Sequence, residues 1–147
     1  MPYERLIKQG RITPYKAHPE EIQQLLKVSL RDLAAATRNL EDGPDWAYSM
    51  AYNAILQASR ALMLSEGYRP RGSEQHAAVV EFTQEKLGPA FGEQVSLFDQ
   101  MRRKRHRVIY EVAGLISQRE AYQAVEFAKS FVAKLAEEIS RQPGVGV

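Results

Sequence analysis

Helical periodicity, interrupted at regular intervals by Gly and Pro, constrains this chain more than any other feature. After His18-Pro19, Ile22, Leu25, Leu26, Ser29, Leu33, Ala36, Thr37 and Leu40 recur at three- and four-residue steps. That spacing puts them on one face of a helix, with Pro at its first position. Gly43-Pro44-Asp45 ends this helix and opens a second, running from about Pro44 to Glu66. The second helix is apolar on several sides. Ala47, Met50, Ala51, Ala54, Ala58, Ala61 and Leu62 form a small-residue stripe, and Trp46, Tyr48, Tyr52, Ile55 and Met63 widen it. A helix of that kind belongs at the centre of a bundle, where its alanines allow close approach of neighbours.

Gly67 stops the second helix and Tyr68-Arg-Pro-Arg-Gly72 reads as a loop. Ser73 is placed to cap a third helix bearing Ala77, Val80 and Phe82, which ends near Gly88-Pro89. A fourth spans about Phe91 to Val112, and Ser117-Gln-Arg-Glu120 has the form of a capping box opening the last. The last helix carries Ala121, Val125, Ala128, Val132, Leu135 and Ile139 inward. No segment alternates with period two, so no strands are predicted. The expected fold is all-α: an antiparallel up-and-down four-helix bundle with an additional short helix and an N-terminal arm. Residues 1–147 are expected to form a single helical domain with a core at about 20–141, an arm at 1–18 and a frayed tail at 143–147.

The absence of cysteine excludes disulfides and thiolate metal sites. His18, His76 and His106 are scattered, with no helical His pair beside a carboxylate, so neither metal nor cofactor is expected. There is no phosphate-binding glycine loop, dinucleotide fingerprint or nucleophile elbow. No stretch approaches the ~20 apolar residues of a membrane span, and the N-terminus shows no apolar signal region; the expected compartment is the cytoplasm.

Charge is concentrated. The chain has 20 Lys and Arg against 18 Asp and Glu, yet Arg102, Arg103, Lys104, Arg105, His106 and Arg107 are consecutive. Without the five Arg and Lys of that run the rest is mildly acidic, which suits a polyanion site on one face. At about 100° per residue, six successive positions circle the helix. Phe98, Met101, Arg105, Val108 and Val112 fall on one apolar stripe, so Arg105 faces the core or a groove. A guanidinium there must be paired, with Asp99 or Glu111 within reach, or must line a cavity where its planar fork can hold a phosphate. Arg102, Arg103, Lys104 and Arg107 set the surface potential and are candidate phosphate or RNA contacts. Tyr110 lies about 140° from Arg105 in helical phase. Asn53, polar among alanines and aromatics, is expected to bond across the bundle or to reach the cleft. Arg71 and His76 fit an Arg-x4-His spacing, but across a loop and a helix start. His76 is read as a structural His that is also a candidate cleft residue.

The stretches DWAYSMAYNAILQASRALMLSEGYRPRGSEQH (45–76) and FDQMRRKRHRVIYE (98–111) resemble the HEPN superfamily of small all-α domains, with helix order and spacing matching from about residue 20 to 141. The resemblance implies a homodimer, in many members paired with a small nucleotidyltransferase, and in many a metal-independent endoribonuclease or toxin. The family motif is Arg, a polar residue, and a His further on. Arg105-His106 matches the first pair, while position 110 is Tyr, as in the branch with Arg-polar-x-x-x-Tyr. The expected function is therefore a nucleotide- or RNA-binding or interaction module, a homodimer with a basic cleft, in a toxin–antitoxin or nucleotidyltransferase-associated setting. The alternative is a metal-independent endoribonuclease using Arg105 with His106 or Tyr110, although a phenol near pKa 10 is a weak acid–base group at neutral pH.

Overall fold

A computed structural model describes residues 3–110 and 113–142. Six α-helices occur in it: α1 (Glu4–Lys8), α2 (Pro19–Arg38), α3 (Pro44–Ser65), α4 (Gln75–Leu87), α5 (Gly92–Tyr110) and α6 (Gln118–Ser140). Two three-residue strands, β1 (Ile12–Pro14) and β2 (Tyr68–Pro70), pair antiparallel, with Thr13 opposite Arg69. A single 3-10 turn, Pro89–Phe91, links α4 to α5. The all-α bundle is as expected. The segment at 143–147, expected to fray, lies outside the described residues, as do Glu111 and Val112.

Helix ends follow from local chemistry. His18 caps α2: its ring accepts from the Glu20 N–H, while the Glu21 carboxylate accepts from the His18 N–H at 2.7 Å. Ser117 Oγ accepts from the Glu120 N–H at 3.0 Å, half of the anticipated capping box. The Glu120 carboxylate pairs instead with Lys104 of α5. Ser73 does not cap α4; Glu74 occupies the N-cap position, without a side-chain capping bond.

The four long helices alternate in direction. Short connections make α2 antiparallel to α3. At the start of α3, the Asp45 carboxylate accepts from the Gly114 and Ile116 N–H groups at 2.7 and 3.1 Å, so the α5–α6 connection sits at that end. Thus α5 finishes, and α6 begins, beside the start of α3. The expectation that α3 is central holds: it packs on α2, α4, α5 and α6, and Ala47, Ala51, Ala54, Ala58 and Ala61 are all fully buried. Close approach shows in Ser29 of α2, whose hydroxyl donates to the Ala54 carbonyl at 2.6 Å.

The strands and α1 differ from the sequence reading. Three residues are too few to display an alternation, so neither strand has a visible period. The N-terminal arm is packed on the bundle, since Leu6 and Ile12 are buried in the main core. Tyr3 stacks on Phe82 at 4.4 Å between ring centroids and donates its hydroxyl to Glu66 at 2.8 Å.

Candidate functional site

The apolar stripe of α5 sets the site. Phe98, Met101 and Val108 are buried as expected, which fixes the helix's rotation and carries Arg105 to the boundary between core and surface. There the Arg105 guanidinium lies 5.7 Å from the ring centre of Tyr52, a fully buried residue of α3. Cation and ring face attract, and more strongly away from water. The Arg105 Nε is buried with no hydrogen-bond partner. Among the described residues no carboxylate pairs with Arg105, and Asp99 is already engaged. It accepts from Arg102 at 2.9 Å and from Arg103 at 2.7 Å.

A cavity of about 820 Å³ opens in front of Arg105. Arg102, Arg103, His106 and Tyr110 line it from α5; Gly72 to Ala77, including His76, line it from the start of α4. The His106 and Tyr110 rings lie 4.9 Å apart between centroids, so these two residues form one edge. The volume falls within the ~300–1,000 Å³ usual for small-molecule clefts. Among the described residues the one carboxylate on the rim, Glu74, is bonded to Arg11. The cavity is therefore predominantly cationic.

His76 belongs to this site. Its Nδ1 and the Tyr52 hydroxyl share a hydrogen bond of 3.0 Å, which leaves Nε2 as the other polar atom of the ring. Burial lowers its pKa, and the Arg105, Arg60 and Arg102 guanidiniums lower it further by repelling a second positive charge. Burial likewise raises the pKa of Tyr52 and keeps its hydroxyl protonated. Thus Arg105, Tyr52 and His76, from three helices, make a connected unit beneath the cavity.

Six of the anticipated residues come together here: Arg102, Arg103, Arg105, His106, Tyr110 and His76. Lys104, tied to Glu120, and Arg107 are not among the lining residues. Asn53 takes the cross-bundle role and not the cleft one: its amide donates to Asp32 of α2 at 2.5 Å. Tyr52 was legible only as a core aromatic, and its hydroxyl's partner depends on how α4 approaches. Trp46, grouped with Tyr48 and Tyr52 by spacing, is instead 60% exposed. Among the described residues, no three of His, Asp and Glu are placed to share a metal ion, and no helix is long and apolar enough to cross a membrane.

Comparison with curated proteins gives no match. The model of the HEPN domain family matches residues 22–139, which span α2 to α6 and include every residue of the Arg105 cavity. With most of its length matched in a single stretch, the chain belongs to the HEPN domain family.

Proposed function

We propose that the chain is a nucleotide- or RNA-binding HEPN module that holds phosphate on Arg105. One observation carries this reading: Arg105 reaches a cationic cavity with its Nε buried and unbonded. A buried donor without a partner is costly, and a bound phosphate oxygen would remove that cost. Arg102 and Arg103 add positive potential at the mouth while Asp99 holds them in place.

The module acts as a homodimer in this reading, with two α5 helices bringing their cavities together. Support comes from Ile109 and Tyr110, exposed at 36% and 68% beside the cavity, and from Trp46 at the same end of the bundle. A small nucleotidyltransferase partner and a toxin–antitoxin setting come with the family resemblance alone, and a place in the cytoplasm is an expectation from the apolar patterning of the sequence.

A second reading, a metal-independent endoribonuclease, draws on the two imidazoles in one cavity with Arg105. In such a reaction a base removes the 2′-hydroxyl proton, the 2′-oxygen bonds to phosphorus and the 5′-oxygen leaves with a proton from an acid. His76, favoured in its neutral form, suits the base role. His106 or Tyr110 would supply the acid, and Arg105 would stabilise the phosphorane's charge.

One experiment separates the two. End-labelled single-stranded RNA is incubated with the protein in EDTA over a salt series, and both polarisation and fragment length are recorded. The binding reading predicts intact RNA, a negative slope of log affinity against log salt, and a loss of about tenfold or more in Arg105→Ala. A flat salt dependence, or an unchanged Arg105→Ala, contradicts it. Fragmentation that disappears in Arg105→Ala and His76→Gln establishes the nuclease.

A further inference from the structure

A second cavity, of about 600 Å³, adjoins the first. Arg60 of α3, Arg69 and Pro70 of β2, Arg71, Gly72, Gln75 and Thr13 of β1 line it. Gly72 and Gln75 belong to both cavities, so the two meet over the turn that leads into α4. Gly72 has φ +90°, a left-handed conformation that suits glycine and lets the backbone turn between them.

The charges here are unlike those over most of the surface. Arg5, Arg11, Arg31, Lys86, Lys104 and Arg141 each sit on a carboxylate. Among the described residues, Arg60, Arg69 and Arg71 have no ion pair, and no carboxylate lines their cavity. Arg105 in the adjoining cavity has none either. Four guanidiniums without counter-charges thus converge on two connected hollows, where they repel one another unless an anion is present.

They are also held in place. Arg69 lies opposite Thr13 in the sheet, and its guanidinium rests 4.9 Å from the ring centre of Tyr15. The Arg71 N–H donates to the Arg11 carbonyl at 2.8 Å, fixing the backbone beyond β2. Arg60 projects from buried α3 and donates to Gln57 at 3.3 Å.

We infer that the two cavities form one track for the sugar–phosphate backbone of a single-stranded polynucleotide, with Arg105 taking one phosphate and Arg60, Arg69 and Arg71 taking those that follow. This rests on the phosphate-binding reading of the Arg105 cavity and extends it. A mononucleotide fills one hollow of this size. Only a chain carrying successive phosphates reaches both. The contacts are to the backbone, so sequence is read weakly if at all.

The test uses the full chain and labelled RNA and DNA strands of about twelve nucleotides, within the usual reach of such grooves. Arg69→Ala/Arg71→Ala is compared with wild type and Arg105→Ala, and adenosine 3′,5′-bisphosphate serves as the short competitor. The double variant is expected to bind the long strand about tenfold less tightly. Its salt slope should be shallower by about 1.4, the value for two lost phosphate contacts on a single strand. Its affinity for the bisphosphate should be unchanged, which also shows that the first cavity remains folded. Equal binding of RNA and DNA, or a preference for RNA, both agree with a backbone track; the second adds a contact to the 2′-hydroxyl. Wild-type affinity and slope in the double variant, with Arg105→Ala still impaired, overturn the track and leave the first cavity's reading standing. No binding of either strand by wild type overturns both.

Discussion

His76 and Arg105 show how differently two residues of one site can be read from a sequence. Arg105 was legible because helical phase alone puts it on the stripe of Phe98, Met101 and Val108, where a charge needs a reason. His76 was not. Its sequence neighbours mark only a loop and a helix start, and the Tyr52 hydroxyl that holds it belongs to a helix 24 residues earlier. Its surroundings make a prediction. Burial and three guanidiniums favour the neutral ring, so His76 should titrate below the ordinary His value of about 6.5. An unfolded chain then binds the proton more readily than the folded one. This residue's contribution to stability is therefore full above pH ~6.5 and is lost as pH falls from there through the lower midpoint of the folded ring. A phosphate in the cavity reverses the local balance and should raise the midpoint. Following the His76 ring resonances by NMR, with and without adenosine 3′,5′-bisphosphate, checks both directions. A free-protein midpoint above 6.5, or one that bisphosphate lowers, contradicts the electrostatics described here.

Among elements, the long helices were readable and the short ones were not. Periodicity over twenty residues overdetermines α2 and α6, whereas α1, β1 and β2 are too brief to leave a pattern and owe their existence to tertiary contacts. The family match begins at Ile22, yet Leu6 and Ile12 are buried and Arg11 is bonded to Glu74 and Glu81 of α4. Removing residues 1–16 would leave the matched region whole while stripping β2 of its partner and uncovering Phe82. Emptying a single buried Leu or Ile site costs about 2–5 kcal/mol, so the truncated chain should lose at least ~4 kcal/mol in urea unfolding. A midpoint equal to that of the full chain would mean that the N-terminal segment contributes nothing to the fold. Because Arg69 is placed by β1 and Tyr15, the same truncation should weaken the second cavity more than the first.

For the whole molecule, the central place of α3 was visible in its apolar circumference, but which apolar side chains stay exposed was not, since exposure depends on how all the helices meet. Trp46, Ile109 and Tyr110 are left exposed at the end where Asp45 ties the α5–α6 connection to α3. The proposed dimer would cover them, and it would bring two cationic cavities close together. Asp99 and Glu120 counter Arg102, Arg103 and Lys104, while Arg105 has no ion pair among the described residues, so two such cavities would repel each other across the proposed contact. Apolar burial then favours association and charge opposes it. Salt screens the repulsion without weakening the apolar contact, so dimerisation should strengthen with salt over the same range in which polynucleotide binding weakens. Light scattering at micromolar concentration should give twice the 16.7 kDa of one chain, and Ile109→Asp should return it to one. If wild type stays at the mass of one chain at every salt concentration, the two cavities never share a cleft. A dimer that dissociates as salt rises would instead be held by ion pairs, and its contact would have to be sought away from Ile109 and Tyr110.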